Sequence, residues 1–166
     1  MSKDWYLKAA EAGNGLGMAN LGALYAKGKA GLRPDDEEAL KWFRKAAEVG
    51  DPLSMTNLGV MYRYGRGGLK PDAAQAETWY RRAAEAGSAR AMANLGTMYE
   101  KGEGGLPQDD ELAVGWYQRA AYAADPRGMA YLGDAYQFGQ GPIKPDLIQA
   151  VSWYRKAADL GEQCGL

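Results

Sequence analysis

The sequence predicts an all-α solenoid of antiparallel helix pairs, and three observations carry that expectation. A block of the form Trp-(Tyr/Phe)-x-(Arg/Lys)-Ala-Ala returns five times, at Trp5-Tyr6, Trp42-Phe43, Trp79-Tyr80, Trp116-Tyr117 and Trp153-Tyr154, each thirty-seven residues after the last. A second block keeps the same period between them: Leu21-Gly22-Tyr25-Gly28, Leu58-Gly59-Tyr62-Gly65, Leu95-Gly96-Tyr99-Gly102 and Leu132-Gly133-Tyr136-Gly139. Helix caps and turn residues punctuate both blocks. Two alternating amphipathic segments with a period in the thirties indicate helical hairpins that bury their apolar faces only against their neighbours.

Residues 51–87 justify the helices of one unit in order. Asp51-Pro52 opens the first helix, with Asp as N-cap and Pro at the first helical position, where its missing N–H costs nothing. Asn14, Ser88 and Asp125 occupy the equivalent cap. Met55, Leu58, Gly59 and Tyr62 share one side, and Gly59 leaves room for a partner helix to approach. Gly65 ends the helix and Arg66-Gly67-Gly68-Leu69-Lys70-Pro71 turns the chain. Asp72 caps the second helix with Gln75 completing a capping box, as do Asp35 with Glu38 and Asp146 with Gln149. Ala76, Trp79, Tyr80 and Ala83 form its apolar face, opposite Glu77, Arg81, Arg82 and Glu85. Gly87 closes it, as do Gly13, Gly50 and Gly161, and Ala124 is the one departure.

Along the chain this spacing predicts a lone helix over 3–12, then pairs 15–28 with 36–49, 52–65 with 73–86, 89–102 with 110–123, and 126–139 with 147–160. The 1–166 array therefore divides into a partial repeat (1–13, second helix only), four repeats at 14–50, 51–87, 88–124 and 125–161, and the start of a further unit at 162–166. Both ends lack the polar capping units that close solenoids. They fit either a segment of a longer array or end-to-end self-association through the uncapped termini.

Composition removes several function classes. Net charge is −1 with Lys and Arg dispersed, so the basic footprint that nucleic acid or an anionic membrane requires is missing. No apolar run approaches a membrane span, and the opening Met-Ser-Lys-Asp-Trp lacks the plan of a signal peptide. A single cysteine, Cys164, allows no intrachain disulfide, and the chain has no histidine. His-based general base catalysis and Cys or His zinc sites are thereby excluded, no cofactor is expected, and the balance favours a soluble protein of the cytoplasm.

The joint pattern Ala-x-Asn-Leu-Gly-x-x-Tyr-x-x-Gly-x-Gly, a Pro-Asp turn, then Ala-x-x-Trp-(Tyr/Phe)-(Arg/Lys)-(Arg/Lys)-Ala-Ala-Glu-x-Gly resembles the Sel1-like repeat, a relative of the tetratricopeptide repeat. The resemblance covers nearly the whole chain. It implies a right-handed superhelix whose first helices line a concave surface that holds partner proteins or peptides. One branch of the family is cysteine-rich, secreted and associated with weak β-lactam binding or hydrolysis. The paired cysteines of that branch are absent, and Ser54, Ser88 and Ser152 are followed three residues later by Asn57, Ala91 and Arg155, so no Ser-x-x-Lys exists.

Function is sought at positions that do not repeat. On the first helix these are Leu53, Thr56, Asn57, Val60, Arg63 and Tyr64, with equivalents including Asn20 in the unit before, then Arg90, Asn94, Thr97 and Glu100, then Arg127, Tyr131, Asp134, Gln137 and Phe138. Asn20, Asn57 and Asn94 form a ladder ahead of the Leu-Gly pairs, replaced by Tyr131 in the last unit. An asparagine amide both donates to and accepts from a peptide backbone, and similarity to some tetratricopeptide proteins implies that role here. The alternative is that each Asn bonds a neighbouring carbonyl or faces water. Arg63, Arg90 and Arg127 offer a cationic strip for an acidic partner, although Glu100 and Asp134 lie near enough in sequence to pair with them. Tyr64 and Phe138 are candidate aromatic anchors, or packing residues. The five tryptophans are assigned to structure. The Gly-rich turns lack Gly-Lys-Ser/Thr and join two helices, which removes a phosphate-loop reading. No carboxylate pair is placed for catalysis. The expectation is a non-enzymatic scaffold for a protein or peptide partner, with a structural spacer or an accessory enzyme or small-molecule binder as alternatives.

Overall fold

The computed structural model describes residues 3–163. They form nine α-helices and one 3-10 turn, with no strand among the described residues. The chain divides into two compact units, Met1–Ala86 and Gly87–Leu166. The first contains α1 (Lys3–Glu11), α2 (Gly15–Lys27), α3 (Asp36–Glu48), α4 (Pro52–Tyr64) and α5 (Ala73–Glu85). The second contains α6 (Ala89–Lys101), the 3-10 turn Glu103–Gly105, α7 (Asp110–Tyr122), α8 (Pro126–Phe138) and α9 (Leu147–Gln163). Within each unit every helix packs on the next in sequence, and in the second unit α6 also touches α8.

Local chemistry explains the boundaries. Asp51 Oδ1 accepts from Ser54 N at 2.7 Å and opens α4, while its own backbone N–H donates to Ala46 O at 3.0 Å and closes α3. Asn14 and Asp125 do the same double duty, capping at Gly17 N and Gly128 N, each 2.8 Å, and donating to Ala9 O and Ala120 O. One residue thus ends one helix by the 6→1 bond and starts the next.

At the second helices the expected capping boxes form only in half. Asp35, Asp72 and Asp146 accept from Glu38 N, Gln75 N and Gln149 N at 2.9, 2.9 and 3.0 Å. Their backbone N–H groups, which a full box would direct to the Glu or Gln side chain, donate instead to the carbonyls of Tyr25, Tyr62 and Tyr136. Asp109 shows that the box is dispensable. It caps Leu112 N at 2.9 Å, with no Glu or Gln at that position, and its N–H goes to Tyr99 O.

Two helix ends depart from expectation. Gly161 does not close the last helix: α9 runs to Gln163, and Gly161 has no left-handed backbone. A glycine stops a helix only where the chain turns into the left-handed region there. The expected further unit at 162–166 therefore begins as a continuation of α9, and Cys164 to Leu166 lie outside the described residues. Ala124, by contrast, does adopt the terminating conformation, with φ +61°, where Gly50 and Gly87 stand at +88° and +90°. A Cβ in that region is strained by about 1–2 kcal/mol.

The core follows the two repeated blocks. Leu21, Leu58, Leu95 and Leu132 are fully buried, each contributing about 1.5–3 kcal/mol. The Gly after each Leu receives a ring from the second helix of its hairpin: a Cβ at Gly22, Gly59, Gly96 or Gly133 would stand 2.7, 2.4, 2.3 or 2.7 Å from Phe43, Tyr80, Tyr117 or Tyr154. The residue after each Trp is thus the main wedge of the hairpin. Trp42 packs with Ala10, Met18 and Leu21, and Trp153 with Ala121, Met129 and Leu132, so these indoles join a hairpin to the second helix of the one before. Trp5 is 68% exposed. The cation three residues after Trp42, Trp79, Trp116 and Trp153 lies over its indole at 4.5, 4.5, 4.3 and 3.9 Å. Such contacts add about 0.5–1 kcal/mol each at exposed sites.

Turns lock neighbouring hairpins inside each unit. Arg66 forks onto Asp36 at the start of α3, Nε to Oδ2 at 2.9 Å and Nη2 to Oδ1 at 2.7 Å, and a Cβ at Gly67 would meet the Asp36 carbonyl at 2.6 Å. In the second unit Gln140 reaches Asp110 Oδ1 at 3.4 Å and a Cβ at Gly141 would stand 2.8 Å from the Asp110 carbonyl.

Candidate binding faces

The first helices present the non-repeating residues, and burial sorts them. Thr56 is a correction to the expected face: it is 0% exposed and its hydroxyl donates to Pro52 O at 2.8 Å, so its side chain belongs to the interior. Its equivalents Ala19 and Ala93 are buried as well. Within the units α2, α4 and α8 are each packed between two second helices, which widens the apolar stripe beyond the Met-Leu-Tyr side. Asn94 and Thr97 are each 9% exposed, and Thr97 Oγ1 donates to Asn94 O at 2.8 Å. Asn20, Asn57, Arg63, Glu100 and Tyr131 are half-buried, whereas Arg90, Arg127, Asp134 and Gln137 are exposed. Tyr64 and Phe138 stand open at 62% and 72%.

The three asparagines share one property. Among the described residues, no hydrogen bond engages the side-chain amide of Asn20, Asn57 or Asn94. Their donors and acceptors are not spent on holding the fold. On the first unit's face Asn20 and Asn57 stand with Ala23, Ala26, Val60 and Arg63, and Arg63 lies 5.5 Å from the Tyr64 ring centroid.

In the second unit the structure joins the expected first-helix residues to tyrosines of the second helices. Tyr117, buried in α7, donates its hydroxyl to Glu100 Oε2 at 2.9 Å, and Gln140 Nε2 donates to Glu100 Oε1 at 3.0 Å. Tyr131 of α8 lies with its ring centroid 4.8 Å from that of Tyr117. Tyr154 of α9 donates to Asp134 Oδ1 at 2.5 Å and has Gln137 Oε1 at 2.9 Å. Burial, then the Asp134 hydrogen bond and charge, push the Tyr154 phenol up to about 12. Glu100 and Asp134 are therefore held by tyrosines, and neither is paired with a cation among the described residues. Arg127 pairs loosely with Asp125 at 3.7 Å and reaches Arg90 O at 3.5 Å.

Tyr117, Tyr154 and Gln140 were not expected at the face. The signal for Tyr154 is a difference between two repeats: Phe43, which lacks a hydroxyl, has Ala23 and Ala26 where Tyr154 has Asp134 and Gln137. Among the described residues no cluster of three or more His, Cys, Asp or Glu is placed to hold a metal ion, and no helix is long and apolar enough to cross a membrane.

Hairpins repeated at this period, with a packed back and a chemically varied front, define a helical repeat protein. The chain belongs to the Sel1 repeat family, which matches it at residues 1–14, 15–51, 52–88, 89–125 and 126–162. Sel1 repeat proteins are generally protein-interaction scaffolds and typically non-enzymatic. A Sel1 repeat protein from Oxalobacter formigenes is 42% identical with a TM-score of 0.86, the match covering 96% of this chain and 63% of that one. The protective antigen c5321 of uropathogenic Escherichia coli, which displays the same fold, is 35% identical with a TM-score of 0.81, covering 96% and 33%. Helicobacter pylori cysteine rich protein B is 25% identical with a TM-score of 0.60, covering 80% and 94%. This chain spans less than two thirds of the first two structures. No curated protein matches it.

Proposed function

We propose that the chain is a non-enzymatic scaffold that binds an extended peptide or partner protein on the faces of its first helices. The observation that supports this most is the set of unpaired amides at Asn20, Asn57 and Asn94. A half-buried amide without an intramolecular partner gains by bonding an incoming backbone, which needs both a donor and an acceptor at each step. Tyr131 takes the asparagine position in α8 and supplies a flat, amphipathic surface in its place. Tyr64 and Phe138, exposed at the ends of α4 and α8, are the aromatic anchors of this reading.

The test starts from a partner recovered by affinity capture and then measured as a purified pair. Replacing Asn57 and Asn94 together by Ala should weaken its binding about tenfold or more, at an unchanged melting temperature. Unaltered affinity in that double variant would remove the asparagines from the interface.

A further inference from the structure

The outer face of α9 is apolar and uncovered. Leu147, Ile148 and Val151 are 67%, 83% and 48% exposed. With Ser152, Arg155, Lys156 and Asp159 they line one open groove along a single side of the helix. The equivalents of Val151 in α3 and α7, Leu40 and Val114, are 6% and 1% exposed, in helices on which the next hairpin packs. A strip that the repeat keeps from water there is left open to it on α9. The α9 face also differs from those two in a way that bears on its occupant. Asp36 and Asp110, which Arg66 and Gln140 of the next hairpin's turn reach, are replaced by Leu147. A turn of that design would meet an isobutyl group where it needs a carboxylate.

We propose that this face binds its own counterpart on a second copy of the chain, α9 against α9, antiparallel about a two-fold axis beside Val151 and Ser152. The order of residues along the helix supports that occupant, because the strip is complementary to its own reverse. Turned about the axis, Ile148 meets the alkyl stem of Arg155 and Leu147 that of Lys156, while the charged heads stay near water. The Lys156 ammonium lies over the Trp153 ring, 3.9 Å from its centroid. Farther out, Lys144 in the turn before α9 comes opposite Asp159. Both are exposed, and neither has an ion-pair partner among the described residues. Parallel pairing would instead set Lys144 against Lys144 and Asp159 against Asp159. In the antiparallel pair every contact occurs twice, as an isologous interface requires. The contact uses none of the first helices, so the pair presents two sets of first-helix faces to a partner.

Sedimentation equilibrium of the chain, run from low micromolar to millimolar concentration, reads the assembly directly. A monomer–dimer equilibrium is expected, with no larger species. Val151→Lys sets two ammonium groups beside the axis and should weaken the dimer about tenfold or more. A charge at this position is compatible with the fold, since α5 carries Glu77 there, and the melting temperature of the dilute variant checks that it folds. Lys144→Glu and Asp159→Lys should each weaken the dimer about fivefold, because each single change turns two symmetric ion pairs into like-charge pairs. The Lys144→Glu, Asp159→Lys double variant should restore the parent affinity, a rescue that only the antiparallel register gives. A chain that stays monomeric throughout overturns the inference and leaves the strip to a different protein or to a further hairpin. Species larger than a dimer, a dimer unchanged by Val151→Lys, or one that the charge exchange fails to restore would each overturn it as well.

Discussion

The two units are built from the same hairpin and differ in what stands behind the open face. In the first, Phe43 fills the notch at Gly22 and Tyr80 the notch at Gly59, and the residues above them are Ala23 and Ala26, then Val60 and Arg63. In the second, Tyr117 and Tyr154 fill the notches at Gly96 and Gly133 and reach Glu100 and Asp134. In the second unit the acceptors for these hydroxyls stand on the face of the first helix. In the second unit core and surface chemistry are therefore coupled: Tyr117 and Tyr154 each tie a wedge in the hairpin to a carboxylate on the first helix.

The largest effect should be common to both units. Phe43→Ala and Tyr117→Ala each empty a wedge position and should cost about 3–5 kcal/mol by denaturant or thermal unfolding. Exchanging the hydroxyl then separates them. Phe43→Tyr places a phenol beside Ala23 and Ala26 and should cost about 1–3 kcal/mol, whereas Tyr117→Phe leaves Glu100 bonded to Gln140 and should cost about 1 kcal/mol. A neutral Phe43→Tyr would break the proposed coupling.

A smaller difference lies at the joints between hairpins. Gly50 has left-handed backbone, and an added Cβ there would meet no atom within 4 Å, so Gly50→Ala should lose about 1 kcal/mol through backbone strain alone. Ala124 already bears that strain, so Ala124→Gly should gain up to about 1 kcal/mol, offset in part by the freer unfolded chain. Melting temperatures that shift in the same direction would contradict the conformational account.

The last effect is seen in titration. The Tyr154 phenol is raised from 10.0 to about 12, which means that the fold favours its protonated form. The stability it contributes is complete below pH 10 and is lost as pH rises through about 12. The difference in phenolate absorbance between the parent chain and Tyr154→Phe should show one ionisation near the raised value. A midpoint at the ordinary value would mean that Asp134 does not hold the hydroxyl.

Helix positions were legible because caps and glycines act locally: the predicted spans agree with the structure to about one residue at nearly every end. The α9 terminus was missed because Gly161 carries the same letter as Gly50 without its backbone conformation, which depends on where the chain goes next. Arg66 with Asp36 was missed for another reason. Their bond joins two hairpins across thirty residues, and neither residue looks exceptional in its own turn. Thr56 was placed on the wrong side because a helix held between two others buries more than one stripe. The candidate site was half legible. Glu100, Asp134 and Tyr131 stood out as residues that do not repeat, while the tyrosines that orient them were hidden inside the most regular block of the chain.

The central claim is that repeated residues build the fold and that the unrepeated residues of the first helices bind the partner. Amide hydrogen exchange of the chain with and without its purified partner tests it most directly. Added protection should fall on α2, α4, α6 or α8, around Asn57, Asn94, Tyr131 and Asp134. Protection confined to the charged backs of the second helices, at Arg81, Arg82 and Glu85, or to the turn at 66–71, would contradict it.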